Sequence, residues 1–318
     1  MTVIPHAIPR KSLIRSSTGL RRRKAVNAFM LALTGVMTLL ALVPLFWIIT
    51  YVVLQGGRNL DLAFFTRLPR PLGLPGGGVL HAIEGTLLLS ILASFFSVPP
   101  GLLAALYVAR HPNTPLGTAV RFATDVLSGV PSIVIGLFGY AVIVKTQGHY
   151  SAIAGGIVLA MIMLPMIIRT TEEMVKLVPG SLREGSLALG APEWKTSLSV
   201  ILPAASNGII TGVLLGLARA TGETAPLLFT TLGNERFEIG AMIQRGVNAG
   251  LPFTAIVGQI LNQPVDSLPL TLWKYSQQPY PERVSQAWTA ALVLMLFVLI
   301  MNITARVIVQ MRTARMRG

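Results

Sequence analysis

The sequence contains no cysteine and little charge: 12% of its 318 residues are charged, whereas 53% are hydrophobic. The lack of cysteine excludes a disulfide framework, a cysteine-ligated zinc site and an iron–sulfur cluster. A soluble protein of this length would carry about twice this fraction of charged residues, so the composition excludes an ordinary soluble globular domain. A mean hydropathy of +0.66 indicates a polytopic membrane protein instead.

Metal and nucleic-acid sites also have little support. The four histidines are scattered, and the pair His81 and Glu84 has no second pair to complete a metal site, so we expect no metal. The net charge of +14 would favour nucleic acid in a soluble protein, but the RRRK run at 21–24 directly precedes an apolar segment. That run is typical of an anchor to membrane lipid, and we expect no nucleic-acid binding.

Six apolar segments are long enough to cross a bilayer, which takes about 20 mostly apolar residues. They lie at 26–54, 82–108, about 123–144, 151–168, about 208–232 and about 286–309. The predicted fold class is therefore an all-α polytopic membrane protein with six transmembrane helices. The stretch 251–261 is too short to span, and it is expected to be a packed external loop or an interfacial helix.

The distribution of Lys and Arg predicts that both termini lie in the cytoplasm, because most basic residues then face inward. We expect an uncleaved multi-pass protein of the cytoplasmic (inner) membrane. The predicted parts are a basic tail at 1–25, a transmembrane domain at 26–310 whose core begins near residue 80, and a basic tail at 311–318. The transmembrane domain includes a cytoplasmic loop at 172–206 and an external loop at 233–285.

The cytoplasmic loop contains a patterned polar stretch, EGSLALGAPEWKTSLSVILPAA, at 184–205. Gly190 can end one short helix in a left-handed conformation, and Pro192 suits the start of the next. Pro203 is expected to break the chain before the fifth span. Two short helices joined by a sharp turn at the membrane surface favour docking of another protein; the alternative is an amphipathic surface helix without a partner. We call residues 184–203 the elbow.

The elbow resembles the cytoplasmic loop of permease subunits of bacterial ABC importers, which has the form E-A-A, three residues, Gly, nine residues, I-x-L-P. It departs from that form at Gly185 and Ser186, which replace two alanines, and at Val200, which replaces isoleucine. The resemblance implies that the elbow seats in a groove of a separate ATPase subunit. The residues expected to carry this coupling are Glu184, Gly190, Ala191, Pro192, Trp194, Leu202 and Pro203.

The chain lacks a phosphate loop of the form G-x-x-x-x-G-K-[ST], since GAPEWKTS at 190–197 has neither the Gly-Lys adjacency nor the glycine-rich backbone. We therefore expect that this chain is not an enzyme and binds no cofactor. ATP and Mg would be bound by the partner ATPase subunit.

Two charges interrupt the fifth apolar segment, in LARATGETAPLLF at 217–229. Arg219 lies 11 residues beyond Gly208, roughly 16 Å along a helix and close to the bilayer midplane. A lone charge there costs at least about 2.5 kcal/mol. Glu223 can partly neutralise Arg219 at i,i+4, and Pro226 can kink the helix beside the pair. Two interpretations remain open and overlap: a structural ion pair, and a site on an anion pathway.

Small residues are expected to let helices pack closely in two segments. Gly208, Gly212 and Gly216 form a stripe on the fifth segment, which allows another helix to approach. Gly129 and Pro131, in SGVPSIVIGLFGY at 128–140, would make the third segment a packing or hinge helix. Glu84 and Asp125 are interpreted as carboxylates that stabilise helix N-termini, although either could pair with Arg219.

Three stretches resemble the A-type permeases of phosphate-specific ABC importers: ARATGETAP at 218–226, SGVPSIVIGLFGY, and NQPVDSLPLTLWKYSQQP at 262–279. With the final span, the resemblance covers about 80–318. It implies a MetI-like ABC importer permease fold, whose five-helix core is shared with methionine-importer permeases, and a function in phosphate import. The implied partners are a C-type permease forming a heterodimer, two copies of an ABC ATPase subunit, and a periplasmic phosphate-binding protein that could dock on 233–285.

Two alternatives stay open from the sequence. The same type of importer could carry another oxyanion, such as molybdate or sulfate. A standalone channel or ion-coupled carrier would transport without an ATPase, which the docking form of the elbow argues against.

Overall fold

The computed structural model describes residues 17–71, 74 and 76–317. The chain divides into two compact units, one ending at Val53 and the other beginning at Leu54. The described part of the first unit is most of helix α1 (Ser17–Gly56), whose side chains are exposed along nearly its whole length. Its composition and length suit a lipid-facing span.

The second unit is built from helices and turns, and its described residues form one isolated β-bridge, between Pro69 and Gly77. Its helices in chain order are α2 (Leu62–Thr66), α3 (Leu80–Arg110), α4 (Pro115–Gly129), α5 (Ser132–Gly139), α6 (Lys145–Gln147), α7 (Ala152–Lys176), α8 (Gly180–Ala188), α9 (Glu193–Thr196), α10 (Leu202–Thr221), α11 (Ala225–Thr230), α12 (Ile239–Asn248), α13 (Phe253–Leu261), α14 (Leu268–Ser276) and α15 (Pro281–Arg317). A 3₁₀ turn covers Gly57–Asn59, and π-helical turns cover Tyr140–Val144 and Ser197–Ile201.

Five helical stretches among the described residues are long and apolar enough to cross a membrane: Gly19–Asn59, Leu80–Arg110, Ala152–Lys176, Glu193–Thr221 and Pro281–Thr304. A sixth would be the pair Pro115–Gly129 and Ser132–Gln147, which bends by 106°. The all-α membrane fold is as predicted. The tail residues 1–16 and the terminal residue 318 lie outside the described residues.

The third span differs from the single helix predicted at about 123–144. The chain leaves α4 at Val130, which has the extended ψ of 130°, and Pro131 caps the start of α5. A residue before proline is biased away from the helical conformation because the proline ring crowds its backbone. The predicted hinge helix is therefore two helices that meet at a sharp bend.

The fifth span also differs from the prediction of 208–232. It begins at Glu193 and ends at Thr221, and a new helix starts at Ala225. In a continuous helix the ring of Pro226 would clash with the carbonyl of Gly222. The chain avoids the clash by placing Pro226 in the first turn of α11, where no N–H donor is needed.

The expected chain break at Pro203 is wrong. Pro203 lies in the first turn of α10, which continues directly from the π-helical turn Ser197–Ile201. A π turn widens the backbone just before the proline, so its ring no longer forces the helix to end. The elbow is thus joined to the fifth span by one continuous helical path.

The core lies where α3, α7 and α10 pack together, and the three helices in 233–285 close one end of it. Ile256 and Ile260 of α13 are buried in the same apolar cluster as Met163 and Leu217 of the spans. The stretch expected to be a packed external loop or an interfacial helix, 251–261, is mostly the short helix α13, and one side of that helix packs into the core. We call this side the loop end, and the side where α3, α7 and the elbow meet the elbow end.

Candidate functional site

Arg219 and Glu223 lie on either side of a helix end. Arg219 is in the last turn of α10, which ends at Thr221, whereas Glu223 is in the short break before α11. Their i,i+4 spacing is therefore not that of one intact helix, as the sequence suggested. The Arg219 Nε and Glu223 Oε1 atoms are still 3.8 Å apart, an ion pair too long for a hydrogen bond.

The two side chains differ in exposure. The Arg219 side chain is 51% exposed and that of Glu223 is 17% exposed. Among the described residues, Glu223 is the carboxylate that approaches Arg219, and a guanidinium carries five N–H donors. Arg219 therefore makes no hydrogen bond to Glu223, and about half of its side chain is exposed.

Arg219 lines a cavity of about 290 Å³ at the bend between α4 and α5. Ser128 and Ser132 approach from the two sides of that bend, and Pro165 and Met166 approach from α7. These two α7 residues lie near the middle of the 25-residue helix. The structure therefore places Arg219 level with the middle of a full span, facing a cavity with polar and apolar walls.

The glycine stripe of α10 sets the orientation of Arg219. A Cβ atom added at Gly208 would meet the side chain of Met174, and one added at Gly212 would meet that of Thr170. A Cβ atom added at Gly216 would lie within 4 Å of Met163 and Met166 atoms of the same helix, α7. Because this face is held against α7, Arg219 on the adjoining face points to the cavity beside the interface.

The two broken segments touch at Gly136 and Pro226. A Cβ atom added at Gly136 of α5 would lie 2.5 Å from the Cα atom of Pro226 in α11. Around Gly129, in contrast, no described atom beyond its chain neighbours and the nearby backbone of its own helix lies within 4 Å of an added Cβ. The close approach is therefore at Gly136, a glycine of the same motif that the sequence also suggested for close packing, and not at Gly129.

The other charges considered for pairing with Arg219 have different partners. Asp125 contacts Arg169, which lines the same cavity as Arg219. Glu84 accepts a hydrogen bond from the Ile239 backbone N–H at 2.7 Å, at the first residue of α12. Glu84 therefore stabilises a helix N-terminus, but that of α12 and not of its own span.

The elbow has the two-helix form expected from its sequence. Gly190 has φ +82°, the left-handed conformation, and Pro192 caps the start of α9. Leu189 is 91% exposed and Trp194 is 66% exposed, and Glu184, Pro192 and Pro203 are exposed as well. Leu202 instead packs against the apolar cluster at the elbow end. The turn therefore presents large apolar side chains to its surroundings while its continuation is anchored in the core.

A buried polar cluster at the loop end was missed by sequence reasoning. Asp266 is almost fully buried, accepts a hydrogen bond from Lys274 Nζ at 2.9 Å, and lies 3.8 Å from His81. Arg283 lies over the Tyr275 ring, 4.4 Å from its centroid, and burial raises the pKa of the Tyr275 phenol. The cluster ties the 233–285 loop to α3 and α15. The sequence signal that could have pointed to this cluster was the resemblance of 262–279 to phosphate-importer permeases, because that stretch contains Asp266 and Lys274.

Comparisons with known proteins agree with this architecture. Residues 101–314 match the family model described as binding-protein-dependent transport system inner membrane component. The phosphate transport system permease protein PstA of Yersinia pestis is 39% identical over 295 residues, which cover 92% of this chain and 92% of that protein. The protein of the same name from Mycobacterium leprae is 34% identical over 316 residues, covering 98% of this chain and 97% of that protein.

Two solved importers share the fold. The MetNI methionine ABC transporter, in an inward-facing conformation, aligns with a TM-score of 0.54 at 19% identity, over 73% of this chain and 94% of that chain. A bacterial ABC transporter involved in the import of the acidic polysaccharide alginate aligns with a TM-score of 0.55 at 14% identity, over 90% and 98% of the two chains. At these identities the likeness shows a common fold and does not bear on substrate.

Proposed function

We propose a transport mechanism from the premise that this chain belongs to the family of binding-protein-dependent transport system inner membrane components and, within it, to the phosphate transport system permease proteins. The chain is the transmembrane subunit of an ABC importer that carries inorganic phosphate across the cytoplasmic membrane. We infer that it pairs with a C-type permease, that two ATPase subunits bind at the elbow end, and that a phosphate-binding protein docks at the loop end. We also propose that both termini face the cytoplasm, because the distribution of Lys and Arg in the sequence favours it.

Arg219 is the residue proposed to attract phosphate in the membrane. The observation that carries this proposal is a half-exposed arginine facing a cavity level with the middle of α7. Contact of such a charge with lipid would cost at least about 2.5 kcal/mol, whereas a phosphate oxygen pair matches the fork of a guanidinium. A site that accepts an anion therefore explains the position better than lipid contact does.

Glu223 is proposed to limit how tightly Arg219 holds the anion. Its carboxylate is 3.8 Å from the Arg219 Nε atom, close enough to compete electrostatically without a hydrogen bond. An arriving phosphate can then replace Glu223 as the partner of Arg219, and Glu223 can replace the phosphate when it is released. A pair that exchanges partners suits a transporter, because a site that binds too strongly would not release its substrate.

The elbow is proposed to receive the motion of the ATPase subunits. Its exposed Leu189 and Trp194 form an apolar projection at the turn, and large aromatic side chains are typical anchors of protein interfaces. The elbow continues without interruption into α10, which carries Arg219. ATP and Mg would be bound by the ATPase subunits, and closure of these subunits would move the elbow and with it the end of α10.

Substitution of Arg219 tests the pathway role. In cells lacking their own permease, Arg219→Ala is expected to abolish uptake of labelled phosphate while the complex still assembles in the membrane. Arg219→Lys keeps the positive charge but loses the planar guanidinium that can bind two phosphate oxygens at once. This variant should therefore retain only part of the uptake. Loss of the subunit from the membrane in both variants would show instead that Arg219 is a structural ion-pair residue.

The control variant is Arg67→Ala, which removes an exposed arginine outside the spans and should leave uptake unchanged.

Competition by molybdate and sulfate during the same assay tests the substrate. Stronger inhibition by either anion than by unlabelled phosphate would contradict phosphate as the substrate. Uptake by this chain without the ATPase subunit would contradict ATP-driven transport.

A further inference from the structure

The inner end of α3 is fixed to the elbow by an arginine that no transport role described above uses. Arg110 is the last residue of α3, and its Nη1 atom donates to the Glu193 backbone carbonyl at 3.0 Å. The same atom is 3.9 Å from the Glu193 carboxylate. Glu193 is the first residue of α9, so the contact joins a membrane span directly to the moving part of the elbow.

Burying Arg110 at this position costs free energy of folding. Its side chain is 13% exposed, and its Nε and Nη2 atoms are buried without a hydrogen-bond partner among the described residues. Buried donors without acceptors destabilise a fold. A side chain that uses one of its three nitrogens, and uses it on the elbow, is poorly explained as a local stabiliser and better explained as a link between two elements.

The other part of α3 reaches the break beside Arg219. The Ser90 Oγ atom lies 3.4 Å from the Oγ1 atom of Thr221, the last residue of α10. Ser90 and Arg110 are roughly 30 Å apart along the helix axis, and α3 is helical between them, with Pro99 and Pro100 inside it. One helix therefore contacts both the elbow and the residue two positions beyond Arg219.

The direct route from the elbow through α10 begins with a deformable segment. The π-helical turn Ser197–Ile201 lies between α9 and α10, and such turns are places where helices kink and often mark functional sites. At the same level Leu106 of α3, Val175 of α7 and Ile201 are buried in one apolar cluster. Bending of the π turn can thus absorb part of an elbow displacement before it reaches α10, whereas the contact at Arg110 passes the displacement to α3.

We propose that Arg110 is a positioning residue that latches α3 to the elbow, so that α3 and α10 together carry elbow movement to the break beside Arg219. This proposal rests on the proposed function, in which the elbow receives the motion of the ATPase subunits. Removal of the latch leaves the ATPase subunits bound and active but weakens the transmission of their movement to the anion site.

The test is the number of phosphate ions transported per ATP hydrolysed by the complete complex in proteoliposomes. Arg110→Gln is expected to lower this ratio about five-fold or more without loss of the ATPase subunits. Arg110→Lys keeps the positive charge and a donor on a side chain nearly as long as arginine, whereas the glutamine amide is two bonds shorter, so the lysine variant should retain most of the ratio. Glu193→Gln keeps the backbone acceptor, so it is the matched variant expected to change the ratio much less than Arg110→Gln.

A covalent link provides a second readout. Because the chain has no cysteine, the pair Arg110→Cys and Glu193→Cys can be joined selectively by a short thiol-reactive crosslinker, with the reagent on the unsubstituted complex as control. The unlinked pair should have the low ratio of Arg110→Gln, and linking should restore it. If Arg110 only stabilised the fold, a crosslink between positions 110 and 193 would not restore the ratio.

Several results would overturn the latch. These are an unchanged ratio in an assembled Arg110→Gln complex, a crosslink that leaves the ratio low, and failure of Arg110→Gln, Arg110→Lys and the double-cysteine variant alike to assemble. Failure of the proposed function is distinguished by ATPase binding. If substitution of Trp194 leaves the ATPase subunits bound and transport intact, the elbow is not their docking site, whatever the Arg110 variants do.

Discussion

Arg219 and Glu223 carry opposite charges in unlike surroundings, and this difference predicts unlike effects of substitution. Glu223 is the more buried of the two, and its removal leaves Arg219 without an ion-pair partner among the described residues. Glu223→Gln should therefore tighten phosphate binding to the purified complex, measured without the binding protein. An exposed ion pair contributes up to about 1 kcal/mol, which corresponds to roughly five-fold in affinity. The maximal uptake rate should fall, because release becomes slower.

The matched control for this variant is Glu173→Gln, an exposed carboxylate on α7 that does not line the cavity. It should change neither binding nor uptake. Weaker phosphate binding in Glu223→Gln would contradict a competing role, and would show instead that Glu223 orients Arg219 for the anion.

At the scale of helices, three prolines in similar apolar contexts have three different consequences. Pro131 follows a sharp bend, Pro226 begins a new helix after a break, and Pro203 continues a helix through a π turn. The sequence indicated the left-handed turn at Gly190 and close packing by the glycine stripe, because both depend on local residue type and spacing. It could not predict which prolines break the chain, since that depends on whether the preceding turn can widen and on what packs beside it.

The contact between the two broken segments makes a sharp prediction at this scale. Gly136→Ala would place a methyl group 2.5 Å from the Cα atom of Pro226, and backbone atoms in a helix cannot move aside as a flexible side chain can. We expect a loss of about 1–3 kcal/mol in stability, typical of overpacking. Thermal unfolding of the detergent-solubilised complex measures it, and phosphate uptake should fall in parallel because α11 lies next to the Arg219 break.

Gly129→Ala is the control, since no described atom beyond its chain neighbours and the nearby backbone of its own helix lies within 4 Å of the added Cβ atom. It should unfold at an unchanged or slightly higher temperature. If Gly136→Ala and Gly129→Ala unfold alike, α5 and α11 do not pack as closely as the structure has them.

The unit that begins at Leu54 has an apolar middle and two specialised ends, the elbow end and the loop end, and the sequence predicted these two ends unequally. The elbow could be identified because its turn residues are contiguous in 184–203 and match a known loop. The loop end could not, because Asp266, Lys274 and His81 come together only when α14 folds against α3. Polar partners far apart in the chain leave no local pattern, so their pairing depends on the tertiary fold.

Assembly with the ATPase subunits is the property that belongs to the whole molecule, and Trp194 is the residue that tests it. Its side chain is 66% exposed at the turn of the elbow, so its truncation removes little from the fold of this chain. Buried aromatic anchors in interfaces contribute about 2 kcal/mol or more, which is roughly 30-fold in the dissociation constant. Trp194→Ala should therefore weaken ATPase binding by about this factor, as measured by co-purification at graded subunit concentrations.

Phe95 provides the matched comparison, because it is also aromatic and 68% exposed but lies on the span α3. Phe95→Ala should leave ATPase binding unchanged, since an exposed side chain on the apolar part of a span faces the membrane and not the ATPase. Equal loss of binding in both variants would mean that they perturb the membrane fold. If Trp194→Ala binds the ATPase subunits as tightly as the unsubstituted chain does, the docking surface lies outside the turn. The movement of the ATPase subunits would then have to reach the membrane through the ends of other spans.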